Sequence, residues 1–251
     1  MKDNTKKIFY GDIYVWMIFI LLIITILNIY ELKYYNGFSS FIIATLTAGI
    51  LDTGIKSYKR KMFYLSKSGI ISGMFVGMIL APNLLFAFLG SAIAILSKYV
   101  IKYNGKHIFN PANFGILILG LFGIGAGWWA TNTIIPVLIL GLFVVYRIDK
   151  FEMVLSFLIP YALLFILVSK NFYNIIPALY NGTILFFAFL MLTEHKTSPY
   201  SRKGQIIYGL LNGVIAGVLL IMADSFNIGF IDAFYLNIAL FFGNILAVKL
   251  K

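Results

Sequence analysis

The chain of 251 residues contains no cysteine. Disulfides, thiolate metal sites and cysteine-held iron–sulfur clusters are therefore excluded within it. Charge is also scarce: 12% of residues are charged, where a soluble globular domain carries about 25%. Acids are scarcest, nine against twenty Lys and Arg, with two His. Asp3, Asp12, Glu31, Asp52, Asp149, Glu152, Glu194, Asp224 and Asp232 all lie near the ends of apolar runs. Asp52 comes closest to lying inside one, and pairing with the Lys56–Lys61 cluster is its simplest role. The lack of a mid-run carboxylate argues against a proton- or sodium-coupled carrier built on an internal acid. There is no Ser-His-Asp arrangement, phosphate loop or metal-ligand spacing, and His107 and His195 read as hydrogen-bonded or solvated loop residues.

What the chain has instead is apolar length. Hydrophobic residues make up 61% and mean hydropathy is +0.94. Spanning a bilayer core takes roughly 20 apolar residues as a helix. Ten such stretches are expected: Ile13–Ile29, Phe41–Gly54, Gly69–Ala81, Leu84–Ile101, Asn113 to the glycines at 123–127, Thr133–Tyr146, Met153–Ser169, Pro177–Leu192, Gln205–Met222 and Asp232–Val248. The fold expected is an all-α polytopic membrane protein of about ten transmembrane helices, a single transmembrane domain over 1–251. The basic N-terminus leads into a long apolar segment with no small-residue cleavage site, so this segment reads as the first helix.

The charge pattern tests that segmentation. With the N-terminus inside, the inner basic residues are Lys2, Lys6, Lys7, Lys56, Lys59, Arg60, Lys61, Lys67, Lys98, Lys102, Lys106, Arg147, Lys150, Lys196, Arg202, Lys203, Lys249 and Lys251. Only Lys33 and Lys170 fall outside. Miscounting one helix would invert everything after it and spoil this partition, so both termini are expected in the cytoplasm. The net charge of +11 then belongs to loops facing anionic lipid, and no nucleic-acid partner is expected. The outer loops carry Tyr34, Tyr35, Trp128, Trp129, Phe172, Tyr173, Phe226 and Phe230, which read as an interfacial aromatic belt.

Two glycine rows stand out: Gly69, Gly73 and Gly77, and Gly209, Gly213 and Gly217. At this spacing, small residues let two helix backbones approach closely. The segments Lys67–Gly73 and Lys203–Gly209 also resemble each other; chance recurrence of a basic flank with a glycine face accounts for this.

Two inner connections combine a histidine, a proline and hydrogen-bonding groups: 103–115 and 193–204. At Asn110-Pro111 the proline biases Asn110 away from helix and frees polar groups for a ligand. A simpler alternative is a helix start with Asn110 as N-cap and Pro111 at the first position. That leaves Lys106, His107 and Asn113 without a role.

At these residues the chain resembles the NqrB/RnfD family, membrane subunits of the sodium-pumping NADH:quinone oxidoreductase and of the Rnf ferredoxin:NAD oxidoreductase. Lys106-His-Ile-Phe-Asn-Pro-Ala-Asn-Phe-Gly115 is similar to the family's K-h-x-F-N-P-A-x-x-G segment. Thr197-Ser-Pro with Lys203-Gly-Gln-Ile-Ile-Tyr-Gly209 is similar to its T-S-P-x-t-x-k-G-q-x-i-y-G segment. Ala239–Asn244 is similar to its closing helix. The resemblance implies two inverted five-helix halves, about 1–131 and 132–251, and other Rnf/Nqr-like membrane subunits as partners beside the lipid bilayer. It also implies a flavin. The family's Ser/Thr-Gly-Ala-Thr sequence, whose last Thr carries FMN as an ester, is missing: the matching loop reads Gly125-Ala-Gly-Trp-Trp-Ala-Thr-Asn-Thr133. Covalent FMN is therefore not expected at Thr131 or Thr133. A noncovalent flavin, FMN or riboflavin, would draw on Lys106, His107, Asn110, Pro111, Asn113, Thr197, Ser198, Lys203 and Asn244, with amides and hydroxyls at its polar edges and a lysine for its negative charge. Two further readings stay open. One is a small-solute transporter or channel of the same fold, with flavin itself among the candidate solutes, since such sites lie at repeat interfaces. The other is a scaffold without chemistry.

Overall fold

The computed structural model describes residues 12–33, 35–169, 173 and 175–250. Lys2, Asp3, Lys6, Lys7, Tyr34, Lys170, Phe172 and Lys251 lie outside the described residues. In chain order the helices are α1 (Ile13–Leu32), α2 (Tyr35–Arg60), α3 (Lys67–Ile79), α4 (Leu84–Val100), α5 (Pro111–Leu121), α6 (Ile134–Ile148), α7 (Phe151–Ser169), α8 (Ile175–Leu179), α9 (Gly182–Phe186), α10 (Arg202–Phe226) and α11 (Gly229–Leu250). A π-helical turn, Phe187–Met191, continues α9. A small antiparallel hairpin, β1 (Lys102–Tyr103) and β2 (Lys106–His107), links α4 to α5. Its turn uses Asn104 and Gly105 at φ 49° and 77°, the left-handed pair that a two-residue hairpin favours.

The protein is an all-α polytopic membrane protein. Among the described residues, five helices are long and apolar enough to cross a bilayer: α1, α2, α7, α10 and α11. The other five apolar segments, α3, α4, α5, α6 and Gly182–Met191, have 10–17 residues each. The expected helix at Pro177–Leu192 is corrected: it breaks at Tyr180–Asn181, where Asn181 restarts α9 by accepting from the Thr183 and Ile184 amides.

Short helices expose backbone ends, and an unsatisfied amide or carbonyl inside a bilayer costs several kcal/mol. Side chains and buried backbone take up that cost. Ser66, Asn83, Asn110 and Ser201 cap α3, α4, α5 and α10. Where α3 ends, the Gly127 and Trp128 amides donate to the Ile79 carbonyl (2.7 and 3.0 Å), and the Ala81 amide donates to Gly125 (3.1 Å). Asn28, inside α1, donates to the Ala130 carbonyl and accepts from the Asn132 and Thr133 amides, which pins the 129–133 turn to α1. Trp128 and Trp129 are thus no aromatic belt. They are 9% and 5% exposed, and Trp129 Nε1–H donates to the Gly77 carbonyl (2.8 Å). Gly37 leaves the space this indole fills, since a Cβ there would stand 2.9 Å from the ring. By contrast Tyr35, Tyr173 and Phe226 are well exposed.

Both glycine rows are helix contacts. Gly69, Gly73 and Gly77 lie on Asp52/Ala48, Ala44/Thr45 and Phe41 of α2; Gly209, Gly213 and Gly217 lie on Met153, Phe157 and Leu164 of α7. Such approach gives van der Waals contact that lipid tails cannot match. A Cβ at Gly73 would fall 2.4 Å from the Ala44 carbonyl oxygen, whereas nothing lies within 4 Å of one at Gly54. Gly73→Val is expected to destabilise the solubilised protein by about 1–3 kcal/mol or more, and Gly54→Ala to be neutral or mildly stabilising. Thermal unfolding in detergent, followed by circular dichroism, checks both.

Candidate functional site

The basic loops converge at one end of the bundle. At its centre is Asp52, fully buried on α2. Its carboxylate accepts from Lys56 (2.9 Å), Lys98 (3.3 Å), Tyr99 (2.6 Å) and the Ser66 hydroxyl. The expected partner, Lys56, is present, and Lys98 joins it from α4. Lys98 Nζ also donates to the Ser68 carbonyl (3.2 Å), and Lys56 Nζ to the Ser66 and Ser68 hydroxyls (2.7 and 3.0 Å). The carboxylate thus ties α2, α3 and α4 together.

Beside this hub a cleft opens between the first turns of α1, the first half of α3, the end of α6 and the 190–195 segment. Its floor is apolar: Met17, Ile71, Phe75 and Leu190. Ser72, Asn110 and Thr193 add polar edges, and Tyr14, Ser68, Glu194 and His195 stand toward the charged end. The enclosed cavity is about 60 Å³. At Tyr14 and Ser68 it meets a wider opening of about 350 Å³ beside Asp12, Lys56, Lys67 and Lys196. A further small recess adds Lys98 and His107 to the same wall. Asp12 and Lys67 pair across the mouth (2.6 Å), and that bond holds the Asp12 carboxyl below its usual range. Partial desolvation, then Lys150 and Lys196, push His195 below its ordinary value. Burial and Lys56 lower Lys196.

The sequence-derived site residues divide into separate places. Asn110 reaches the cleft wall while also capping α5, its side chain accepting from the Asn113 amide (3.0 Å), with Pro111 at the first helical position. The capped helix start is the reading of that dipeptide that the structure shows. Phe109 stacks on Phe241 (4.4 Å between centroids), fixing this turn against α11. His107 lines the recess. Lys106 is exposed on the hairpin and Lys203 is exposed at the start of α10. Asn113 exchanges hydrogen bonds with Asn237, its Nδ2 donating to the backbone carbonyl and its Oδ1 accepting from the side chain (both 2.9 Å). Thr197 and Ser198 are buried, donating to the Glu194 carboxylate and carbonyl, and Lys150 Nζ donates to Ser198 Oγ (3.0 Å). Asn244 accepts from Tyr208 (2.8 Å). The cleft residues that sequence reasoning passed over are Tyr14, Ser68, Ser72 and Thr193. The serines at 66, 68 and 72, heading a glycine-rich helix, were the available signal.

Thr131 and Thr133 lie at the opposite end. Thr131 Oγ1 contacts the Trp128 carbonyl and Thr183 Oγ1, and Thr133 Oγ1 accepts from Asn28 (2.6 Å). Among the described residues no group of three or more His, Asp or Glu is placed to hold a metal.

A family model described as the NQR2, RnfD, RnfE family matches residues 117–247, more than half of the chain. The chain belongs to this family. A relative from Methanosarcina acetivorans, named as a subunit of an ion-translocating oxidoreductase complex, is 24% identical over 211 residues, 72% of each chain. The family match covers α6 to α10, the end of α5 and most of α11, so both the Thr193–His195 wall of the cleft and the Asn237–Asn244 face lie within it.

Two outcomes follow from the charged groups. Asp52→Asn leaves Lys98 buried without its anion, which costs about 3–5 kcal/mol; adding Lys98→Met in the same chain is expected to restore much of that, measured by thermal unfolding. For His195, whose pKa is depressed on folding, the unfolded state takes up the proton first as pH falls. Stability is thus full above the ordinary value of 6.5 and declines as pH drops below it. A melting-temperature series from pH 7.5 to about 5.5 is expected to show this decline, and His195→Gln to flatten it.

Proposed function

We propose that the chain is the membrane subunit of an Rnf-type ion-translocating oxidoreductase complex and holds a flavin, FMN or riboflavin, noncovalently in the basic-end cleft. The observation that carries the reading is the cleft itself: an apolar slot edged by Asn110, Ser72 and Thr193 and opening onto Lys56, Lys67 and Lys196. The donor set suits a flat heteroaromatic ring with polar edges and negative charge at one end. The enclosed part has room for only a few waters at about 10–15 Å³ of cavity each, so entry of a ring requires the apolar walls to move apart.

A bound flavin supplies electron transfer. The protein's own part is to exclude water from the slot, orient the polar edges through the Asn110 amide and the Ser72 and Thr193 hydroxyls, and offset negative charge with lysines at the mouth. Asn110 suits this role because α5 and the neighbouring Phe109–Phe241 stack hold it rigid. Family membership and the relative's name support placement in a multi-subunit complex, with other Rnf/Nqr-like membrane subunits as partners. Concentration of lysines at one end supports cytoplasmic termini, and the family and relative support a prokaryotic plasma membrane. We further take the chain as one transmembrane domain of two inverted halves, 1–131 and 132–251.

The test is the visible spectrum of the purified protein in mild detergent, before and after acid precipitation. Yellow colour that leaves with the supernatant is expected, and Asn110→Leu is expected to lower flavin occupancy about tenfold, the worth of one well-placed hydrogen bond to a bound group. Colour retained in the pellet would mean a covalent flavin. A protein colourless even after incubation with FMN and riboflavin would overturn the redox reading and leave solute transport or a scaffold role.

A further inference from the structure

Between α10 and α11 runs a row of buried polar side chains that the cleft does not use. On α10 they are Gln205, Tyr208 and Asn212; on α11, Asn237 and Asn244. Spacings of three, four and seven put each set on one face of its helix. All five are buried. Tyr208 OH donates to Asn244 Oδ1, Asn212 Nδ2 donates back to the Tyr208 carbonyl, and Asn237 holds Asn113 of α5. Gln205 Nε2 donates to the Asp149 and Tyr200 carbonyls at the basic end. The row therefore begins at that end and, because the two helices are antiparallel, passes Tyr208 and Asn244, then Asn212, and reaches the Asn113–Asn237 pair inside the bundle.

Each amide in this row is only half used. Gln205 Oε1, Asn212 Oδ1, Asn237 Oδ1 and Asn244 Nδ2 find no partner among the described residues. A buried polar atom left unpaired costs about 1–3 kcal/mol, and a helix seam within lipid has no bulk water beside it to relieve the cost. Gly243 points the same way. A Cβ there would stand 2.3–2.7 Å from the Asn212 amide atoms, so the absent side chain makes room for a carboxamide between the helices.

We propose that the α10–α11 seam holds a file of ordered water molecules, running from the basic end at Gln205 to the Asn113–Asn237 pair. The unpaired set decides the ligand. It contains three acceptors and one donor, so its occupant must both give and accept hydrogen bonds. A bare cation satisfies the oxygens but not the Asn244 N–H group, and none of the five side chains is a carboxylate that would balance its charge. Water serves both kinds, and a buried water is held by two to four such polar partners. Asn113 lies one helical turn from Asn110, so the file brings solvent from the basic end to within a turn of the cleft wall. This inference does not depend on a flavin being bound.

The test is X-ray hydroxyl-radical labelling of the full chain in detergent, in ¹⁸O-water, read by mass spectrometry. Radicals form where water is, and Tyr208 is 0% exposed, as is Phe157 in the apolar core. With the file present, Tyr208 is expected to be labelled at least about tenfold faster than Phe157, since only one has a water neighbour. Asn244→Leu is expected to bring Tyr208 down toward the Phe157 rate, and Asn212→Leu serves if that variant does not fold. A wild-type Tyr208 as slow as Phe157 overturns the proposal. So does a Tyr208 labelled equally fast in the leucine variant, because water would then reach it by another route.

Discussion

Backbone polar groups inside a bilayer must be paired within the protein, and the whole molecule is built around that rule. Among the described residues, five of the ten apolar segments have 10–17 residues, so helix ends fall inside the bundle and must be closed there. Asparagine does much of that closing. Asn83, Asn110 and Asn181 cap helix starts, and Asn28 clasps the 129–133 turn from within α1. The Ile79 carbonyl, freed at the end of α3, takes two amides from the 127–128 segment. Trp129 seals the same place by donating to Gly77.

Close helix contact follows from the same need. Glycine rows bring α3 onto α2 and α10 onto α7, and this approach sets Ser66 and Ser68 beside Asp52 and Lys98. The ion pair then fixes three helix ends at the basic face. The cleft lies against that fixed wall, with Ser68 shared between hub and cavity. Packing and site are in this sense one construction: a side chain added at Gly69 would meet Asp52 itself.

Much of the fold was legible in the sequence because its signals are local. Apolar length marked the segments, and each glycine row proved to be a packing face. The misreadings share a cause. Trp128 and Trp129 read as a belt because an outer loop is ordinarily exposed; here the loop folds back into the bundle. The helix across Pro177–Leu192 read as continuous because its hydropathy is continuous; Asn181 restarts it through two side-chain hydrogen bonds that hydropathy does not record. In the candidate site, Asn110 stood out through its proline neighbour and does reach the cleft. Tyr14 and Ser68 did not stand out, because they come from distant segments whose convergence with the 193–204 connection no local pattern encodes. Lys106 and Lys203, each the first residue of a motif segment, lie away from the cleft because a hairpin and a helix start carry them outward.

Apolar length was enough to establish a membrane-embedded, all-helical chain. These properties follow from transfer of each segment into lipid, one segment at a time. Which polar groups meet was a matter of how the helices pack: that Asp52 holds two lysines and a tyrosine, that Asn110 faces a slot while Asn113 faces Asn237, and that the amides of α10 and α11 share one seam. Hydrophobic burial is non-directional and can be read along a chain. A hydrogen bond depends on distance and angle between residues far apart in sequence, and folding alone sets those.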